Sequence, residues 1–92
     1  MNKQIWEFPI TDPANIIIPM PKNAEVLTIQ MQGQNPCIWA LVEPDNELEK
    51  RYFELHGTGH NMRYDIWVER KYINTIQMHS RKLVFHLFER IS

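Results

Sequence analysis

The chain has little cysteine, little net charge and no long apolar run, and each shortage excludes a class of protein. Its one cysteine, Cys37, allows no intramolecular disulfide. Its formal net charge of -1 argues against binding to DNA or another polyanion, which requires a basic excess. No apolar run approaches the roughly 20 residues that cross a membrane, and the first residues contain no signal-peptide hydrophobic region. We therefore expect a protein of the reducing cytoplasm that makes no membrane contact.

Length and composition predict a single β domain over residues 1–92. A chain of 92 residues is long enough for one domain and too short for two. Its apolar fraction of 43% is ordinary for a globular protein, which argues against disorder. A domain this small buries a modest core, so association with further copies, which removes more apolar surface from water, is favoured.

Frequent prolines and glycines divide the chain into short segments of β-like composition. Apolar alternation predicts strands at residues 5–9, 15–20, 25–32, 37–42, 51–56, 72–78 and 82–89. Residues 44–50 have the composition of a polar loop, and residues 64–70 fit either one short helical turn or a short strand. The pattern is typical of an all-β domain, either a small sandwich or a partly open barrel of about six to seven short antiparallel strands.

The final predicted strand is apolar on both faces. Its two alternating sets are Leu83, Phe85 and Leu87, and then Val84, His86 and Phe88. Residues 37–42 share this property, and a small two-layer domain covers few strands on both sides. The set that contains an ionisable histidine fits an interface better than a dry core. We therefore predict that Val84, His86 and Phe88 form an oligomer interface.

A glycine-containing loop and the irregular segment after it are the best candidates for a ligand site. The loop contains His56, Gly57, Thr58, Gly59 and His60. Glycines let the backbone approach an anion such as a phosphate or carboxylate, although a tight turn between strands explains the same residues somewhat better.

The segment after the loop adds Arg63, Tyr64 and Trp67 to the predicted ligand site. Aromatic rings stack on bases, and Arg51, Arg70 and Arg81 are further arginines that could pair with phosphates.

The four histidines indicate neither a metal site nor a catalytic centre. Only His56 and His60 lie close in sequence, whereas zinc requires three or four converging ligands. A hydrolytic dyad could be drawn from Thr58 with His60, or from Ser80 with His79, but no spacing singles out either pair. We expect no metal, no other cofactor and no catalytic residue. A phosphodiesterase acting through His56 and His60 ranks last among the functions considered.

The order of several segments resembles a family of short phage-encoded proteins. The segments are IWEFP at 5–9, AEVLTIQ at 24–30, PCIWALV at 36–42, GTGH at 57–60, YINTIQ at 72–77 and LVFHLFE at 83–89. They extend over nearly the whole chain, and Asn74 departs from the pattern where a glycine is usual. The family is similar in turn to phage nucleotide sponges, which are oligomeric proteins that bind cyclic nucleotide defence signals without cleaving them. The resemblance implies a homo-oligomer, dimer or tetramer, with ligand at subunit junctions in the host cytoplasm.

Two functions follow as expectations. The first is a phage immune-evasion protein, an anti-CBASS or anti-Thoeris sponge. It sequesters a cyclic di- or oligonucleotide, or a molecule of the cyclic ADP-ribose type, without cleaving it. The alternative is a small phage protein that inhibits or adapts a host protein by direct contact through an exposed edge strand or a doubly apolar face. Neither function needs catalysis, so we do not expect an enzyme.

Overall fold

Seven β-strands make up the secondary structure of the computed structural model, which describes residues 2–78 and 82–91. In chain order they are β1 (Gln4–Pro9), β2 (Ile16–Pro21), β3 (Glu25–Gln32), β4 (Asn35–Val42), β5 (Leu48–Gly57), β6 (Arg70–Met78) and β7 (Leu83–Arg90). The described residues contain no helix, and hence no helix that could cross a membrane. The predicted all-β class is confirmed, and every predicted strand is present, with its ends shifted by a few residues at most.

The strands form two antiparallel sheets with the orders β1-β4-β3 and β2-β5-β7-β6. The apolar core lies between the sheets. Its fully buried side chains include Met20 of β2, Ile29 of β3, Ile38 of β4 and Leu87 of β7. Each belongs to the inward-facing set of an alternating strand, so the two-layer sandwich follows from the period-two pattern of the sequence.

Strand β3 departs from simple alternation at Leu27, which the alternation predicts to face the core. Its neighbours Val26 and Thr28 pair with consecutive residues of β4, Ala40 and Trp39, so Leu27 is the extra residue of a β-bulge. Leu27 is 42% exposed, whereas Val26 packs against the core. The prediction for Leu27 is wrong because the bulge moves this side chain to the other face.

Strand β4 is buried mainly on its inward side. That side consists of Ile38, Ala40 and Val42, all fully buried, whereas Trp39 and Leu41 on the other side are half-buried. Cys37, on that other side, is buried. Burial, and to a smaller extent the charge of Glu7, raise the pKa of the Cys37 thiol, which makes it a poor nucleophile.

Two loop predictions are wrong. Residues 48–50, predicted as part of a polar loop, belong to β5 because they pair with residues 19–21 of β2. The segment near 64–70 contains no helical turn and no strand before Arg70. The N–H of Val68 instead donates to the carbonyl of Asp65 at 3.0 Å, which closes one β-turn, and β6 begins at Arg70.

The connection from β5 to β6 crosses the four-stranded sheet. Both strands pair antiparallel with β7, which lies between them, so β5 and β6 run in the same direction. The chain must therefore return from Gly57, where β5 ends, to Arg70, where β6 begins. Because the core occupies the inner side of this sheet, residues 58–69 pass on its other side. We call residues 58–69 the crossover.

Two polar contacts support the packing, one within the four-stranded sheet and one between the two sheets. Arg51 of β5 donates through Nε and Nη2 to the carboxylate of Glu89 in β7, with Nη2 3.0 Å from Oε1, and through Nη1 to the carbonyl of Ala24 at 2.9 Å. Asn74 of β6 donates to the Oγ1 of Thr28 in β3 at 2.7 Å. The first contact is a buried ion pair, and the second closes the seam between the edges of β3 and β6.

Candidate functional site

The side of the four-stranded sheet that faces away from β1-β4-β3 carries the largest collection of polar and aromatic residues, and we call it the outer face. Alternation along the paired strands places these side chains on it: Tyr52, Glu54, His56, Arg70, Tyr72, Thr75, Val84, His86, Phe88 and Arg90. The crossover lies over this face. The outer face is therefore a polar and aromatic surface that the crossover partly covers.

Glu54 is the acceptor at the centre of an ionic cluster. Its Oε1 accepts hydrogen bonds from His56 Nε2 and Arg70 Nε, both at 2.7 Å, and its Oε2 accepts from Arg90 Nη1 at 3.2 Å. Lys50 lies on the same face by alternation. In the described strands one carboxylate therefore faces three permanent cations. The crossover over this face adds Arg63, Asp65 and Glu69, so the charges of strands and crossover together are nearly balanced.

The ionic cluster lowers the pKa of Glu54. Burial raises the pKa of this carboxyl, but the hydrogen bonds from His56, Arg70 and Arg90 lower it by more in sum, so that the net pKa lies below the usual value of 4.5. The carboxylate is thus held ionised in the folded protein.

We expect Glu54→Gln to destabilise the protein at neutral pH and to have little effect in acid. Because folding lowers the pKa of Glu54, its ionised form stabilises the folded state above the unfolded pKa near 4.5, and this contribution is lost as the pH falls through the folded pKa. Urea titrations of both proteins between about pH 7 and about pH 3 measure the difference in unfolding free energy. The two curves should converge in acid, and a difference that does not vary with pH would contradict this role.

His86 connects three hydroxyl groups across the outer face. Its Nε2 lies 2.7 Å from Thr58 Oγ1, and its Nδ1 lies 2.8 Å from Thr75 Oγ1. Thr75 Oγ1 in turn lies 2.5 Å from the hydroxyl of Tyr72. Each hydroxyl can donate or accept, and the imidazole can exchange tautomers. At its Thr58 end, this chain of hydrogen-bonding groups can therefore serve either a donor or an acceptor of a ligand.

Aromatic rings line the same face. Phe88 makes edge contacts with Tyr72, with ring centroids 5.5 Å apart, and with His56, with centroids 6.0 Å apart. The guanidinium of Arg70 lies over the ring of Tyr64, 4.8 Å from its centroid. Arg70 Nη2 also donates to the carbonyl of Arg63 at 2.9 Å, which fixes the crossover on this face.

The glycine loop forms a tight turn. The N–H of His60 donates to the carbonyl of Gly57 at 3.0 Å, and the N–H of Thr58 donates to the carbonyl of Val84 at 3.1 Å. Gly59 has φ 84°, as a type II turn requires at its third residue. The ring of His60 lies against Gly57, where an added Cβ would come within 2.6 Å of it. Protein carbonyls already accept hydrogen bonds from two N–H groups of this turn. The turn therefore has fewer N–H groups available to an anion than its sequence indicates.

Replacing Gly59 with alanine should lower the unfolding free energy by about 1–2 kcal/mol, because an L side chain is strained at this φ. Gly59→Asn is the matched control, since asparagine adopts left-handed backbone more readily and should cost less. Thermal unfolding of the three proteins measures both values. Equal losses for alanine and asparagine would contradict the backbone explanation.

The crossover exposes large apolar side chains. Tyr64, Ile66 and Trp67 are 67%, 89% and 82% exposed. Three exposed apolar residues within four positions make this segment a candidate contact surface.

The structure brings many of the predicted site residues together. His56, Thr58, His86 and Phe88 lie on the outer face, and Thr58 contacts His86 directly. The sequence assigned Thr58 to a ligand site and His86 to an interface, whereas the structure places them in one hydrogen-bonded group.

The other predicted residues are more dispersed. His60 packs on Gly57 at the turn, Tyr64 stacks on Arg70, and Trp67 projects outward from the crossover. Val84 is half-buried beside the turn, to which its carbonyl is bonded. The crossover thus covers part of the second face of β7, which the sequence analysis assigned to contact with a second subunit. The oligomer interface stays a prediction.

Sequence reasoning missed Glu54, Arg90, Tyr72 and Thr75. Their signal was present, since Glu54 alternates with His56, and Arg90 falls two residues after Phe88. The pairing of β7 with both neighbours brings them together, and this register is not visible from one strand. Of the arginines proposed for phosphates, Arg51 faces inward to Glu89, and Arg81, with Ser80 and His79, lies outside the described residues.

A separate cavity of about 560 Å³ opens between the sheets. Its apolar lining includes Ile10, Leu55, Met78 and Phe85, with Gln34 and Asn35 among its polar residues, and none of the described lining residues is charged. Within residues 2–78 and 82–91, no group of three or more His, Cys, Asp or Glu side chains could hold a metal ion. An anionic ligand therefore fits the outer face better than this cavity.

Comparison with known proteins places the chain in a family without assigning an activity. Neither the curated proteins nor the solved structures contain a match. A family model described as Domain of unknown function (DUF7352) matches residues 1–92, which is the entire chain. The chain belongs to the DUF7352 family.

Proposed function

We propose that the protein binds a small nucleotide on the outer face and holds it uncleaved, as a phage protein that sequesters a cyclic nucleotide immune signal. The observation that carries this proposal is the buried guanidinium of Arg70, whose Nη1 has no acceptor among the described residues. It shares the carboxylate of Glu54 with Arg90, beside aromatic rings and hydroxyl groups. Phosphate, base and ribose each find a matching group there.

The phosphate is assigned to Arg70. Its side chain is 5% exposed, and its Nη1 has no hydrogen-bond acceptor among the described residues. A buried guanidinium N–H without an acceptor costs free energy, which an anionic oxygen would recover. Because Tyr64 and the Arg63 carbonyl cover Arg70, the crossover has to shift for a phosphate to reach it.

The base and ribose are assigned to the crossover and the His86 group. Trp67 offers an exposed ring for stacking. Thr58, which is exposed, and His86 offer a donor and an acceptor to a hydroxyl or a base edge. A cyclic dinucleotide or a cyclic ADP-ribose type of molecule contains all three chemical groups.

The surroundings of His86 support binding without cleavage. Thr58 and His86 have the contact of a hydroxyl nucleophile with a base, because Oγ1 and Nε2 lie 2.7 Å apart. Behind His86 stands the neutral hydroxyl of Thr75 instead of a carboxylate. A neutral hydroxyl stabilises the imidazolium that forms when histidine accepts the proton of a nucleophile less than a carboxylate does.

Calorimetry tests this proposal. We expect cyclic di-AMP, cyclic GMP–AMP, cyclic tri-AMP or cyclic ADP-ribose to bind with nanomolar affinity, about -12 kcal/mol, as sequestration of a scarce signal requires. The bound molecule should be recovered intact after the protein is denatured. The absence of binding heat with all four probes would reject the proposal, and recovery of a hydrolysed product would replace it with an enzymatic function.

A further inference from the structure

The backbone of β2 makes a poor edge for further strand pairing. The N–H of Lys22 donates to the carbonyl of Glu47 in the turn before β5, so even-numbered residues of β2 face β5 and odd-numbered residues face away. The outward positions are Ile17, Pro19 and Pro21, and the two prolines have no N–H. Edge prolines are a common protection against unwanted strand addition.

The backbone of β1 is, by the same reasoning, an open edge. The N–H of Ile10 donates to the carbonyl of Pro36 at 2.9 Å, so even-numbered residues of β1 face β4. Ile5 and Glu7 therefore direct both N–H and C=O away from the sheet. Pro9 also occupies an outward position, which agrees with its missing N–H.

The remaining edges, those of β3 and β6, cover one another. Strand β3 ends its sheet and β6 ends the other, and these two strands lie in contact. Asn74 bridges them through Thr28 Oγ1 at 2.7 Å. Among the described strands, β1 thus presents the least protected edge.

We propose that β1 pairs antiparallel with β1 of a second copy of the chain, with Ile5 opposite Ile5 of that copy. The two three-stranded sheets would then form one continuous six-stranded sheet, in the order β3-β4-β1 followed by its mirror sequence β1-β4-β3. Ile5, which is 61% exposed, would be covered by its counterpart. This interface belongs to the three-stranded sheet, whereas the outer face belongs to the four-stranded sheet. The dimer proposal is therefore independent of nucleotide binding.

Charge selects this register from its neighbours. With Ile5 at the two-fold axis, Lys3 of each copy lies opposite Glu7 of the other, on the same face of the sheet. A register centred on Glu7 would set two carboxylates against each other, and like charges directly opposite are destabilising. Only the Ile5-centred register meets two conditions together. Lys3 and Glu7 each face the opposite charge, and the outward N–H and C=O groups of Ile5 and Glu7 each find a hydrogen-bonding partner.

Charge reversal tests the register. Sedimentation equilibrium should find the native chain as a dimer, twice its 11.1 kDa mass. Lys3→Glu and Glu7→Lys should each raise the dimer dissociation constant by roughly tenfold or more, because two attractive pairs become repulsive. The double variant, which restores opposite charges, should return to within about threefold of the native value. A native chain that stays monomeric at about 200 μM, or a dimer whose dissociation constant does not respond to these reversals, would overturn the proposal.

The backbone requirement is tested at Ile5. Ile5→Ala and Ile5→Pro both remove the apolar side chain, but only proline removes the outward N–H. Proline should abolish the dimer, whereas alanine should weaken it and leave it detectable. Circular dichroism checks that both variants keep the native β spectrum. We expect that they do, because Pro9 already occupies another outward position of β1. Equal dimerisation of the two variants would show that backbone pairing is not involved.

Discussion

Replacing Glu89 with glutamine should lower the free energy of unfolding by about 3–5 kcal/mol, a large fraction of the stability of a small domain. Glu89 is 6% exposed and accepts two hydrogen bonds from Arg51, whose side chain is 17% exposed. Glutamine turns one acceptor into an amide that faces the guanidinium donors. The arginine would then remain largely buried and would face an amide donor. Its remaining counter-charge would be the partly exposed carboxylate of Glu49, 3.9 Å from its Nη1.

A surface ion pair is the control for this experiment. Lys22 and Glu47 lie 3.5 Å apart, and both side chains are more than half exposed. Glu47→Gln should therefore change stability by less than about 1 kcal/mol. Urea unfolding at neutral pH measures both variants. If Glu89→Gln costs no more than Glu47→Gln, the buried ion pair does not join β5 and β7 as described.

Trp67→Ala should weaken nucleotide binding by about tenfold to a hundredfold while leaving the core and the fold intact. Stacking of a base on an aromatic ring contributes about 1–3 kcal/mol per base, and Trp67 is 82% exposed, so its removal leaves no cavity in the core. The loss should appear in the dissociation constant measured by calorimetry, with the same stoichiometry as the native protein.

Ile66→Ala is the matched control for Trp67. The two residues are neighbours on the crossover with similar exposure, 89% and 82%, but isoleucine has no ring to stack. Its replacement should change the dissociation constant by less than about threefold. Equal losses for Ile66 and Trp67 would indicate a general apolar contact, as in binding to a host protein, and would contradict base stacking.

Strand locations were predictable because alternation is a local property of the sequence. Residues 25–32 were assigned with correct ends since apolar and polar residues alternate there and a glycine follows. The start of β5 was missed because Glu49 and Lys50 have loop-like composition, and only their pairing with β2 shows that they belong to a strand. The bulge at Leu27 likewise depends on the register with β4.

The candidate site was predictable only in part, since its contacts connect distant segments. Thr58 and His86 are separated by 28 positions, and Arg90 and Glu54 by 36. Each residue has a plausible local interpretation as a turn, interface or surface residue. The sheet order that places β7 between β5 and β6 makes them neighbours, and a single sequence contains no direct sign of that order.

An NMR titration tests the central claim that the outer face binds a small nucleotide. The amide spectrum of the native chain would be recorded with an equimolar mixture of cyclic di-AMP, cyclic GMP–AMP, cyclic tri-AMP and cyclic ADP-ribose. We predict shifts concentrated at residues 54–58, 63–70 and 84–90. No shifts, or shifts confined to the β1-β4-β3 sheet and the apolar cavity, would contradict the account.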